Sequence, residues 1–235
     1  MKIIFNADDF GYSQGVNYGI IDAFVNGVVR STTIMPNGVG FGHAVQLSRQ
    51  YDIKVGIHLT LSTGKSIGTH KCITDTQGNF CKLLQVESMA AESKIDLDEV
   101  NAEFELQIRK VLDAGIQPTH FDSHHHVHML QGVDKVVQEL ATKYQVGLRG
   151  SSTDKYSSEF YADDATLECV KSIISNNASA KSIEIMCHPA YVDVHLLKTS
   201  GYNTPRVREL DILTSIELKS WIQSNDWSLA SYLKS

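Results

Sequence analysis

Short β-branched runs alternate with longer stretches of helical periodicity along the whole 235-residue chain, and nothing else in the sequence constrains its fold as strongly. Lys2 to Ala7 reads as a first strand, apolar enough to be buried on both faces. Ser13 is a helix N-cap, Val16, Ile20, Ala23 and Phe24 share one helical face, and Gly27 supplies the stop. Thr32 to Met35 is a second strand, Phe41 to Tyr51 a helix, and Ile53 to Leu61 a third strand that carries His58. Asp96 and Glu99 form a capping-box start for a helix with an apolar stripe of Val100, Phe104, Ile108 and Val111, ended by Gly115. Pro118 to Asp122 is a strand that runs straight into a histidine cluster. Further on, Gly132 to Tyr144 reads as a helix, Val146 to Arg149 as a strand and Ala165 to Ile174 as a helix. Ile183 to Cys187 reads as a strand, Ser215 to Gln223 as a helix and Trp227 to Ala230 as a last strand. Residues 62–95 and 189–208 lack clear periodicity and read as long loops, the first a functional or mobile excursion.

Strands alternating with helices, without repeat, linker or charge block, predict one α/β domain over residues 1–235 with a mostly parallel sheet. About seven strands fit a (β/α) barrel, TIM-like and distorted. A doubly wound open sheet is the alternative, but no G-x-G-x-x-G or P-loop supports it. The formal net charge of −6 argues against a nucleic-acid partner, since such binders carry a basic footprint. No apolar run reaches the ~20 residues that span a bilayer, and the first residues lack the apolar core of a signal peptide. Cys72, Cys81, Cys169 and Cys187 form no C-x-x-C and no disulfide framework, so a reduced, cytoplasmic protein is expected.

The chemistry-bearing residues fall at predicted strand ends: Asp8 and Asp9 after the first, His58 late in the third, His124 after the fourth and His188 after the sixth. In a parallel α/β barrel those ends share one face, where active sites form. Asp8-Asp9 alone is equally well read as a solvated turn. At a strand end that turns, both carboxylates can face a pocket, one on a metal and the other as a base. In Asp122-Ser123-His124-His125-His126-Val127-His128, an extended backbone puts His124, His126 and His128 on one face and His125 on the other. Imidazole suits zinc and other divalent transition metals; a His-rich surface tract is the bland account. His188 is a candidate general acid or a loop-stabilising histidine. Cys187 is read as a buried small hydrophobe, because consecutive strand side chains diverge and His188 cannot serve it as a base. One carboxylate, two histidines, a second carboxylate and an acid are the parts of metal-assisted hydrolysis, with Asp9, His58 and His124 as ligands, Asp8 as base and His188 as acid.

Four segments in order, Asn6-Ala7-Asp8-Asp9-Phe10-Gly11, Gly56-Ile57-His58-Leu59-Thr60-Leu61, Pro118 to Met129 and Glu184-Ile185-Met186-Cys187-His188-Pro189, resemble the YdjC-like carbohydrate deacetylases, and among them the chitooligosaccharide deacetylases. Pro205-Arg206 and Glu209 to Ser215 are similar as well, and the segment around 64–96 is the weakest. The resemblance implies a (β/α)-barrel hydrolase that releases acetate from N-acetylglucosamine units of chitooligosaccharides. It implies a divalent metal, magnesium first and zinc second, an acetylated amino-sugar as substrate, and a homodimer. Carried over by position, the metal ligands are His58, His124 and Asp9, the base is Asp8 and the acid His188. Arg149 and Arg206 are candidates for orienting a carboxylate or binding an anionic group on the sugar. Ala190 and Ala162 stand where many relatives carry glycine, which touches local loop shape. Two other readings compete: a metal-dependent phosphoesterase or other amidohydrolase on a similar barrel, and a His-rich metal-storage protein.

Overall fold

Nine residues, Lys2–Phe10, form the central strand β1, of which only Lys2 is exposed. The structure, a computed structural model, describes residues 1–232. Ser13 caps α1 (Gln14–Val25), its hydroxyl accepting from the Val16 N–H as the N-cap motif requires. Strand β2 (Ser31–Ile34), helix α2 (Phe41–Tyr51) and strand β3 (Lys54–Leu59) follow. Then come α3 (Leu83–Ala91), α4 (Leu97–Asp113) and β4 (His120–Ser123). The remainder comprises α5 (Val133–Tyr144), β5 (Gly147–Leu148), β6 (Lys155–Ser157), α6 (Leu167–Asn176) and β7 (Ser182–Cys187). Last are α7 (Val194–Thr199), α8 (Thr204–Thr214), α9 (Ile216–Ser224) and β8 (Ser228–Leu229).

The strands lie in the order β5-β4-β3-β2-β1-β7-β6, all parallel, curled into an open half-barrel of distorted TIM type. Among the described residues no pairing joins β5 to β6, so the barrel stays open there. β2 meets β1 only from Asn6 onward; β8 pairs with Lys2 and Ile3, ahead of that point. Among the described residues no helix is long and apolar enough to cross a membrane.

Alternation along the strands sorts the core. Ile3, Phe5 and Ala7 of β1, with Phe121 and Ile57, join the buried apolar cluster with Phe104, Ile108 and Val111 of α4. The opposite face is polar and just as buried: Asn6, Thr33, His58, His120, Asp122 and Glu184 are at most 2 % exposed. Gly56 is required by this interior, because a Cβ there would lie 2.5 Å from the His120 ring. That ring stacks on Tyr232 at 3.6 Å, which packs this aromatic side chain against the start of β4.

Several expectations are corrected. Residues 62–95 are not structureless, since they contain α3, whose half-exposed face (Leu84 is 80 % exposed) obscures its periodicity. The stretch ahead of α3 is also tethered: Glu103 accepts from the Ile67 and Gly68 N–H groups, and Glu99 from those of Lys71, Cys72 and Ile73. Asp96 caps α4 as expected, while the Glu99 carboxylate serves the loop instead of reaching back to the cap. Residues 189–208 hold α7 and the start of α8, and β6 was not anticipated because it is only three residues long. The histidine cluster is not extended. It is a 3-10 turn, His124–Met129, in which His125 and His126 have φ of 56° and 54°. Two left-handed residues abolish the alternation that would have aligned His124, His126 and His128.

Candidate metal and catalytic site

Asp8 and Asp9 lie inside β1, just before its last residue, rather than after it, and the backbone there explains how both carboxylates reach the same cavity. The register with β2 shifts between Ala7 and Phe10, and Asp9 has φ of 72°. A regular strand would send the two side chains to opposite faces; the irregularity re-aims Asp9, at a backbone cost of order 1–3 kcal/mol. The Tyr12 N–H donates to the Asp9 carbonyl at 2.9 Å and closes the turn.

Asp9, His58 and His124 each offer one ligand atom, all within 4.8 Å of one another. The Asp9 Oδ1 lies 2.8 Å from His124 Nδ1 and 3.3 Å from His58 Nε2. His58 Nδ1 is engaged by Asp122 at 2.7 Å, and Thr33 donates to the other Asp122 oxygen at 2.9 Å. An outer carboxylate of this kind fixes ring orientation and leaves the second nitrogen for a metal. Asp122 was not singled out from sequence as a site residue; its signal was its place two residues before His124 at a strand end. The donor set, a carboxylate and two imidazoles converging in a buried pocket, fits a divalent cation of the zinc class and accommodates magnesium through the carboxylate and water.

Asp8 has a different environment. Arg149 donates to both its oxygens, Nη1 at 2.7 Å and Nη2 at 2.6 Å, and Asn6 Nδ2 donates to Oδ1 at 2.9 Å. Arg149 also contacts Asp122 at 2.9 Å and Glu184 at 2.8 Å, and Glu184 accepts from the Tyr232 hydroxyl. Arg149 is therefore buried beneath the cavity, with its charge spent on three carboxylates. Breaking such a buried ion network by removing one member costs about 3–5 kcal/mol, because the partners are left uncompensated. Burial pushes the Asp8 carboxyl up, but the Arg149 guanidinium outweighs it and holds the group below the usual carboxylate range. Asp9 follows the same logic more strongly, with burial opposed by Arg206 and His124. Arg206 lines the cavity and donates to Asp9 Oδ2 at 2.6 Å.

His188 faces this group from β7's end. Its Nε2 lies 4.0 Å from Asp8 Oδ2, and its backbone N–H donates to buried Glu209. Glu209 also accepts from the Tyr202 hydroxyl. Glu209 lies just past residues 189–208, which read as loop, in a stretch that resembles the family, and nothing local in the sequence marks its carboxylate as a partner of His188. His125 and His126 line the cavity without joining the three ligand atoms, His125 bonding Ser62 at 2.8 Å. His128 bonds Ser123 at 2.6 Å and is buried, and burial lowers it to about 3. The cavity these residues enclose has a volume of about 370 Å³, within the range of small-molecule sites.

In the absence of metal, burial presses His58 down while Asp122 and Asp9 raise it more, to about 10. His58 is thus protonated at neutral pH, and a cation at Nε2 must displace that proton. Metal binding to the metal-free chain at pH 7–9 is expected to release about one proton from His58, with affinity rising about tenfold per pH unit until pH nears 10. Calorimetric titrations in buffers of different ionisation enthalpy measure this. Buffer-independent heats would remove His58 from the ligand set.

The sequence model of the family described as YdjC-like protein matches residues 2–224. A carbohydrate deacetylase of Clostridium beijerinckii is 37 % identical over 247 aligned positions, covering 99 % of both chains. A chitooligosaccharide deacetylase of Salmonella schwarzengrund is 39 % identical, covering 98 % of both. Among solved structures, a protein of Enterococcus faecalis V583 with the provisional name cellobiose-phosphate cleavage protein superposes with a TM-score of 0.90. It is 34 % identical, with 98 % of this chain and 97 % of that one covered. A peptidoglycan N-acetylglucosamine deacetylase shares the fold at a TM-score of 0.56 and 11 % identity, with 98 % of this chain and 85 % of that one covered.

Proposed function

The chain belongs to the YdjC-like family, and from that premise we propose that it is a metal-dependent carbohydrate N-deacetylase that hydrolyses the acetamido group of an acetylated amino sugar. One observation carries the reading: the three ligand atoms of Asp9, His58 and His124 converge beside a second carboxylate, Asp8, that faces His188 across 4.0 Å. Asp9, His58 and His124 would hold the cation. When bound, a divalent cation supplies Lewis-acid polarisation of the acetyl carbonyl and makes water more acidic.

The chain's own residues do the rest. Asp8, kept ionised by Arg149, accepts a proton from the attacking water. The water oxygen bonds to the acyl carbon, the carbon–nitrogen bond breaks, and His188 gives its Nε2 proton to the departing amine nitrogen. Acetate and the free amino sugar result. Arg149 reaches the reaction through Asp8 rather than through substrate, whereas Arg206 holds Asp9 in place at the cavity wall.

The finer parts of the proposal rest on the family resemblance: a chitooligosaccharide such as diacetylchitobiose or its phosphate, magnesium ahead of zinc, and a homodimer in the cytoplasm. Four free cysteines suit a reducing compartment. The test is product analysis on diacetylchitobiose, its phosphate and simple phosphomonoesters, after chelation and again with magnesium, zinc or cobalt restored. Metal-restored acetate supports the deacetylase; inorganic phosphate without acetate replaces it with the phosphoesterase reading.

A further inference from the structure

One wall of the cavity is aromatic and has no part in the proposed chemistry. Tyr161 and Tyr202 stack with centroids 4.1 Å apart and planes 13° from parallel. The Tyr202 hydroxyl is fixed on both sides, accepting from the Ala162 N–H at 2.9 Å and donating to buried Glu209. Ala162, directly after Tyr161, has φ of 54°, a backbone state that a residue with a Cβ adopts only where its surroundings impose it. Each ring meets His188 edge-on, at 5.5 Å with interplanar angles of 71° and 74°. Tyr161 is nevertheless 40 % exposed where it lines the cavity: Tyr202 covers one face, and among the described residues no other ring lies on it except His188 at its edge.

We propose that Tyr161 is a sugar-stacking platform that receives the C–H face of the pyranose carrying the acetamido group. The inference rests on the deacetylase reading and deepens it, by making a cyclic sugar rather than any acetamide the substrate class. His188 must reach the nitrogen on which the amine forms, and the ring bonded to that nitrogen lies beside it. Two rings lie 5.5 Å from His188; Tyr202 carries Tyr161 on one face and the Arg206 guanidinium 5.2 Å over its ring, whereas Tyr161 is 40 % exposed and so offers the free aromatic surface. An aromatic face carries negative charge density that suits the positive ends of C–H bonds, and a ring held rigid before binding loses little freedom on binding. Glu209 and Tyr202 then serve both wall and acid, since Glu209 holds the His188 backbone and the Tyr202 ring together.

The test is calorimetric binding of diacetylchitobiose to the metal-loaded Asp8→Asn chain, alone and combined with Tyr161→Phe, Tyr161→Leu or Tyr161→Ala. Phenylalanine keeps the face and is expected to bind like the parent. Leucine fills similar volume without a flat face, and with alanine is expected to bind about tenfold more weakly. Bound metal and thermal midpoints, measured in parallel, report whether the wall still folds. With Asp8 intact, Tyr161→Leu should raise KM and leave kcat little changed, which a general structural defect would not do. Equal affinity in all four chains, or a phenylalanine variant as weak as alanine, overturns the platform while leaving the deacetylase reading in place. A parent chain that neither binds the sugar nor, with Asp8 intact, releases acetate overturns both.

Discussion

Asp8→Asn is expected to leave one divalent cation bound per chain while kcat for acetate release falls about 10²–10⁴-fold, the span by which a positioned general base contributes. The separation follows from contacts. Asp8 also converges with His58 and Asp122 within 4.8 Å, but both its oxygens are taken by Arg149 and Asp122 does not line the cavity, whereas Asp9, His58 and His124 converge and line it together. Asparagine keeps an oxygen for Arg149 but cannot take a proton. Arg149 also retains Asp122 and Glu184 as charge partners, so the fold should survive. Metal analysis beside steady-state kinetics decides the assignment. Loss of metal in Asp8→Asn together with its retention in Asp9→Asn would reverse the roles of the two aspartates.

His58→Ala should remove both metal and turnover. The substitution deletes the ligand nitrogen and leaves Asp9 and Asp122 facing a space where an imidazole had screened them. The graded comparison is Asp122→Asn, which keeps the His58 ring but weakens the bond that orients it. Loss of such an outer partner lowers metal affinity by about 10–100-fold, and His58→Ala should exceed that. Competition with a chelator of known affinity orders the variants. A His58→Ala chain that binds metal as well as the native chain contradicts the proposed ligand set.

Much of the fold is legible in the sequence because helix α4 and strands β1 and β3 bury apolar residues at the spacing their periods demand. Phe104, Ile108 and Val111 are all fully buried, as their stripe implies. Elements fail to show where burial is partial or the element is short. Helix α3 buries only Val86 and Ala90, and β6 spans three residues. Asp8, Asp9, His58, His124 and His188 could be gathered on one face from parallel topology alone, and in the structure all five line one cavity. The interior that holds them could not be read in this way. Asn6, Thr33, Asp122, Arg149 and Glu184 form a buried polar network across strands β1, β2, β4 and β7 and the segment after β5, and no local pattern announces a network made of distant pairs. The turn that aims His124 depends on left-handed backbone at His125 and His126; histidine enters that region more readily than most side-chain residues, but it remains uncommon there, so residue type alone does not announce the turn.

Stoichiometric reconstitution decides whether one bound cation per chain drives deacetylation: acetate released from diacetylchitobiose by the metal-free chain is followed as measured equivalents of divalent cation are returned. The rate should rise in proportion to added metal and level off at one equivalent per chain. Full acetate release without metal, or a rate still climbing well beyond one equivalent, would contradict a single activating cation.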